Sequence, residues 1–282
     1  MTKQTIKWLL FHEPAELFIR TAEHFESEIN RLTGDQYKIE ILKLEDYNEK
    51  YNNGQACDPI TELKEGRVHM SQLYSNALAH RDAYNFFALG LPFLFRDHDH
   101  CARVLEGEIG DELMSHLHET VQVKGLSFTY SGGYKCMAAD RRIKSVEDFT
   151  DLSTMYQASP VFTEMFKALG MKTADKQSDA NLAQTTLPRY HVETTASQKH
   201  VMSVDHQLKF KQAAKTCARA ERAKSVADAE EIKNEQSKQD ERGIESISDL
   251  ADQDVLRAKL EAVTDRLGKF FGNDLVDRIK KS

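Results

Sequence analysis

QTIKWLLFHEPAELFIRTAEHFESEINRLTGDQYKIEIL, residues 4–42, holds two alternating segments with a helical period between them. Residues 4–11 read as a strand, and His12-Glu13-Pro14 follow, the proline suited to a helix's first turn. From Ala15 to Leu32 apolar side chains recur at helical spacing (Leu17, Phe18, Ala22, Phe25, Ile29, Leu32) until Gly34 stops the run. Tyr37-Lys38-Ile39-Glu40-Ile41-Leu42 then alternates as a second strand. A strand, a helix and a strand in this order predict a β-α-β unit, whose parallel strands need the helix as a crossover.

The pattern repeats outward from there. Residues 58–66 read as a helix, capped by Asp58 with Pro59 in its first turn and ended by Gly66. Val68–Tyr74 reads as a third strand, 86–95 is the most apolar segment, 97–118 reads as a helix and Gly125–Tyr130 as a strand. Ser131-Gly132-Gly133-Tyr134 is a turn, a natural crossing between lobes. A helix over Val161–Leu169 ends at Gly170, and 171–206 is polar and weakly periodic. A long, charged, alanine-rich helix is predicted from about Gln207 to Arg242, another over about 253–271, and a short one at the end. The apolar positions of the long helix (Leu208, Phe210, Ala213, Ala214, Cys217, Ala220, Ala223, Val226, Ala229, Ile232) hold no strict heptad. Packing against a domain surface is therefore favoured over a coiled coil.

Composition narrows the function. The 282 residues are 40% hydrophobic and 29% charged, an ordinary globular balance with room for two lobes. A net charge of −7 argues against nucleic acid as partner, although one basic pocket for a small anion stays compatible with it. The chain has no apolar run long enough to span a membrane. Ile6–Phe11 is too short and mixed for a signal peptide's core, so the expectation is a cytoplasmic chain or a mature form. The four cysteines, Cys57, Cys101, Cys136 and Cys217, form no paired zinc motif; their spacing leaves thiols and disulfides both open. In the cluster His98-Asp99-His100-Cys101, residues i and i+2 diverge by about 200° on a helix, so the two histidines cannot share a metal ion. An exposed polar helix start is expected instead. With no GxSxG, HExxH, Walker or dinucleotide motif, neither an enzyme nor a cofactor is expected.

Several segments resemble the dicarboxylate-binding type of TRAP-transporter solute-binding proteins. They are Gly66-Arg67-Val68-His69-Met70, LPFLFRDHDHCARVLEGEIGDEL (91–113), Tyr130–Lys135, IKSVEDFTDL (143–152), SPVFTEMFKALGMK (159–172), ERAKSVADAEEIK (221–233) and FGNDLVDRI (271–279). The resemblance implies an α/β fold of two lobes braced by a long helix, a two-lobed periplasmic-binding-protein-like clamp that closes on its ligand. The expected division is 1–128 for the first lobe, 129–206 for a second, abbreviated lobe, and 207–282 for the bracing helices. It also implies a small organic acid as ligand, TRAP membrane permease subunits as partners, and a periplasmic location.

The family's carboxylate-clamping arginine has no counterpart in DLSTMYQASP (151–160), where Tyr156 is the matching position. A phenol offers one hydrogen bond and no charge. By the same resemblance Lys135 is a candidate anion contact, or else a solvated loop lysine, and Tyr134 beside it stacks, donates or packs. Gln184 matches a position where relatives place an acid or amide, and Arg189 is the nearest arginine that can replace the clamp. His12 and Glu13 end the first strand, and Ser75 and Asn76 follow the third, at the edge where open α/β sheets hold ligands. Glu13 has an alternative as an early-helix acid favoured by the dipole. The expected function is solute capture; the alternative is a ligand-deficient derivative acting as a scaffold.

Overall fold

The computed structural model describes residues 3–11, 15–130, 138–139, 145–155, 159–174, 182–183, 192–197, 204–239 and 253–282. In chain order these form β1 (Gln4–Leu10), α1 (Ala15–Thr33), β2 (Tyr37–Lys43), α2 (Leu44–Tyr51), α3 (Pro59–Lys64), β3 (Met70–Tyr74) and α4 (Ser75–Ala79). After a 3-10 turn at Tyr84–Gly90 come α5 (His98–Glu106), α6 (Glu108–Val121), β4 (Lys124–Tyr130) and β5 (Ala138–Ala139). A second 3-10 turn, Val146–Asp151, precedes β6 (Ser153–Met155), α7 (Pro160–Ala168), β7 (Lys172–Ala174), β8 (Leu182–Ala183) and β9 (Val192–Ser197). The chain ends with α8 (Val204–Gln239), α9 (Gln253–Phe271) and α10 (Asn273–Lys281). It folds into two compact units, one of Met1–Ala83, Val104–Ser131 and Val192–Lys224, the other of Tyr84–Arg103, Gly132–His191 and Ser225–Ser282.

The first unit is built on the β-α-β crossover read from 4–42. β1 pairs in parallel with β2 along its whole length, Gln4 opposite Tyr37 through Leu10 opposite Lys43, and with β3 on its other side. Alternation sends Ile6, Trp8 and Leu10 to one face, where α1 covers them with Phe18, Ala22, Phe25 and Ile29, all essentially buried. The Trp8 and Phe25 rings meet edge to face at 5.3 Å. The first half of α8 closes the same core through Phe210, Ala213, Ala214 and Cys217. Small residues there let the helix approach closely. Leu208, Ala220 and Ala223 of the apolar set read from the sequence are exposed instead. Charge reinforces the seam: Arg20 grips the buried Glu221 with two guanidinium nitrogens, Lys211 pairs with Asp111 at 2.8 Å, and Arg219 with Glu106 at 2.8 Å.

The sheet order is β2-β1-β3-β9-β4. β9 runs antiparallel between β3 and β4, with Tyr74 and Thr129 both opposite Glu193. This interior strand comes from the polar stretch whose periodicity predicts no element; pairing on both sides supplies what local propensity lacks. A second departure lies at 97–118, read as one helix. Gly107 is extended and breaks it, so α5 and α6 are separate. Gly110 lets their backbones meet, since a Cβ there would lie 2.0 Å from the carbonyl oxygen of Leu105. Near α3, the buried Glu62 carboxylate takes both Nε (2.6 Å) and Nη2 (2.7 Å) of Arg67 and the hydroxyl proton of Tyr47. These bonds hold the Glu62 carboxyl below its ordinary pKa.

The second unit carries the sheet β5-β8-β6-β7. α7 and the Tyr84–Gly90 turn pack on α9, with Phe87 and Phe271 rings 5.8 Å apart and Arg266 paired to Glu164 at 2.6 Å. Here the expected exposed start of the 98–101 helix is corrected: His100 and Cys101 are fully buried. His100 Nδ1 accepts from the Arg96 N–H (3.1 Å) and Nε2 faces the Ile279 carbonyl (2.7 Å), the geometry of a neutral ring that donates from Nε2. The histidine thus ties α5 to α10. Among the described residues no group of three or more potential ligands surrounds a metal position, and no helix is long and apolar enough to cross a membrane.

Candidate functional site

The first sheet reverses its winding at β1: the chain goes from β1 to β2 on one side, then returns to β3 on the other. Such a switch point opens a crevice outside the carboxyl ends of the two strands, where side chains and backbone N–H groups of the following segments converge. β1 and β3 are parallel, and β4 runs the same way because both β3 and β4 are antiparallel to β9. Three strands therefore end at one edge, at Leu10, Tyr74 and Tyr130.

The positions singled out in the sequence sit immediately beyond these ends. Ser75 and Asn76 open α4 directly after β3; Ser75 is buried and Asn76 half-buried. The Asn76 carbonyl accepts the His80 N–H. His12 and Glu13 come two and three residues after β1, and Tyr134 and Lys135 four and five after β4. These four lie outside the described residues, as do Tyr156, Gln184 and Arg189.

The second unit repeats the logic with short strands. β6 is parallel to β7 and β8, and β5 is antiparallel to β8. The ends of β6 and β8 and the start of β5 therefore share one edge. Tyr156 is the residue after β6, Gln184 the residue after β8, and Lys135 stands three before β5. Five residues beyond β6, α7 begins with Pro160 in its first position and no acidic residue in its first turn. Its cap, Ser159, is extended and 4% exposed, makes no capping bond, and its Oγ is buried without a partner among the described residues. The first turn of a helix presents N–H groups with no intrahelical acceptor and the positive end of the helix dipole. With an uncapped serine hydroxyl beside them, these groups suit a small anion such as a carboxylate. Ser159 opens the segment 159–172, where neither its residue type nor its spacing distinguishes it. Only its burial and missing partner mark it.

Residues 11–177 match the family model described as bacterial extracellular solute-binding protein, family 7. Among curated proteins, the C4-dicarboxylate-binding periplasmic protein DctP of Rhodobacter capsulatus is 30% identical over 141 residues, 45% of this chain and 42% of that protein. The chain spans less than half the length of the curated relatives it matches. Among solved structures, a TRAP periplasmic solute-binding protein from a Bradyrhizobium species, in complex with galacturonate, superposes with a TM-score of 0.81 at 19% identity. That likeness covers 99% of this chain and 100% of the other. A TRAP periplasmic solute-binding protein from Sulfurospirillum deleyianum, with bound succinate, gives 0.77 at 19% identity, covering 99% of each chain. At these identities the structures establish the fold.

Proposed function

The chain belongs to the bacterial extracellular solute-binding protein family 7, and from that premise we propose that it captures a small organic acid and hands it to TRAP membrane permease subunits in the periplasm. The role is binding, not catalysis. The observation that carries this reading is the α7 start: an uncapped helix N-terminus with a buried, unpartnered Ser159 hydroxyl, four residues past the strand end where Tyr156 follows. It offers a carboxylate neutral and dipolar donors, and no arginine of 151–160 is needed for that. Tyr156, Gln184, Lys135 and Tyr134 follow or precede strand ends at the same edge, and His12, Glu13 and Asn76 those of the first sheet, which supports their assignment as ligand contacts. The galacturonate and succinate held by related folds point to the same ligand class.

A melting-shift screen of the full chain against C4-dicarboxylates, keto acids, sugar acids and aromatic acids tests the reading. Ligand at a hundredfold over Kd stabilises the folded state by about 2.7 kcal/mol, a readily measured shift. No shift with any acid at millimolar concentration removes the proposal. It leaves the second reading, a ligand-deficient scaffold, which the missing arginine favours.

A further inference from the structure

Among the described strands, β2 is the outermost at one side of the first sheet and pairs with β1 along its whole length. The Gln4 N–H donates to the Gln36 carbonyl at 2.8 Å, so the even-numbered residues of β2 turn their backbone groups toward β1. The odd-numbered residues turn theirs outward. Tyr37-Lys38-Ile39-Glu40-Ile41 is rich in aromatic and β-branched side chains, and an edge of that composition is a template for another strand. Side chains of α1 take the outward groups at its start. Asn30 Oδ1 accepts from the Tyr37 N–H (2.8 Å) and Asn30 Nδ2 donates to the Tyr37 carbonyl (2.8 Å). The two bonds offer one residue what a neighbouring strand would, and they fix the orientation of the amide, because an N–H only donates and a carbonyl only accepts. Glu26 Oε1 accepts from the Ile39 N–H at 3.1 Å.

We propose that Asn30 and Glu26 form an edge guard that keeps a second copy of this chain from adding its own β2 to this one. The same edge is present in every copy, so self-pairing about a two-fold axis is the association open to it. The guard occupies the Tyr37 N–H, the Tyr37 carbonyl and the Ile39 N–H, which such a pair would need. Asn30 and Glu26 stand one helical turn apart and so share a face of α1, while Phe25 and Ile29 beside them pack in the core with Ile39. The helix thus covers the sheet with one face and its edge with the next. A clasp for the α1–β2 turn would need Asn30 alone; Glu26 reaches 13 residues along the chain, beyond that turn. It also brings a carboxylate that an incoming strand would have to desolvate.

The test is sedimentation velocity of the full chain over a concentration series, with fluorescence of the buried Trp8 reporting that each variant is folded. The double variant Glu26→Ala, Asn30→Ala is expected to self-associate at least about tenfold more tightly than wild type. Glu26→Ala alone leaves the turn intact, is expected to shift association in the same direction, and serves if the double variant does not fold. Adding Lys43→Pro, at a φ of −72° that proline adopts, removes a further outward N–H of β2 and is expected to reverse the gain. A folded variant that associates no more tightly than wild type overturns the proposal. Association that Lys43→Pro leaves unchanged overturns it equally, because the contact then lies elsewhere than β2.

Discussion

Phe210 and Leu208 are two residues apart on α8, both large and apolar, yet only one holds the molecule together. Phe210 is 2% exposed and Leu208 63%. The Phe210 ring meets Phe25 edge-on at 5.5 Å and Tyr37 at 5.1 Å. Truncating such a ring to alanine removes its transfer free energy and leaves a cavity, about 3–5 kcal/mol in well-packed cores. Two aromatic contacts place Phe210→Ala toward the upper part of that range, about 4 kcal/mol. Unfolding entropy of about 2.1 cal/mol/K per residue over 282 residues turns this into a Tm drop of about 7 °C if the chain melts as one, and about twice that if the first unit melts alone. Leu208→Ala is expected within about 0.5 kcal/mol of wild type. The assay is built in: Trp8 is the only tryptophan, is 1% exposed and packs on Phe25, so its fluorescence reports this core, while circular dichroism reports the helices of both units. Equal losses for the two variants, or a larger loss for Leu208→Ala, would refute the packing of α8 described here.

Other perturbations follow from single contacts. Arg67→Met strips the buried Glu62 carboxylate of its bidentate partner and is expected to cost about 2 kcal/mol, below the fully buried case because Arg67 is half exposed. Glu62 has a lowered pKa in the folded state, so the stability it contributes is present above the unfolded value of about 4.3 and is lost as pH falls through the folded one. Urea titrations should show the gap between wild type and Arg67→Met closing below about pH 4; a gap constant from pH 7 to pH 3 contradicts the pairing. Cys217 has its thiol pushed up to about 12 by burial and by the nearby Glu28 and Glu221 charges, so it should resist a disulfide reagent at pH 8 until the chain unfolds. A native-state reagent count that drops in Cys217→Ser would contradict this. His100→Leu orphans the Arg96 N–H and leaves the Ile279 carbonyl with the Ser282 N–H alone, at about 1–3 kcal/mol in all. Faster hydrogen exchange in α10 than in α1 is the expected signature, and unchanged α10 protection would exclude the tie.

The β-α-β start is legible in residues 4–42 alone, because parallel strands need a crossover and this segment contains one helix of the right length between two alternating strands. The late helix and the family resemblance are legible too, since both rest on long periodic or ordered blocks. Candidate sites could be read only as far as strand ends could be: Asn76 after β3 is the described example. Partnership is set only by long-range packing. β9 is too polar and too short to declare itself, and becomes a strand because β3 and β4 flank it. His100 reads as one of two histidines at a helix start, and is buried because α10, 179 residues later, supplies the carbonyl it faces. Ser159 stands out because its buried hydroxyl has no partner among the described residues, a property that no residue carries in its own sequence. Periodicity records which side of an element faces inward; it holds no record of what meets it there.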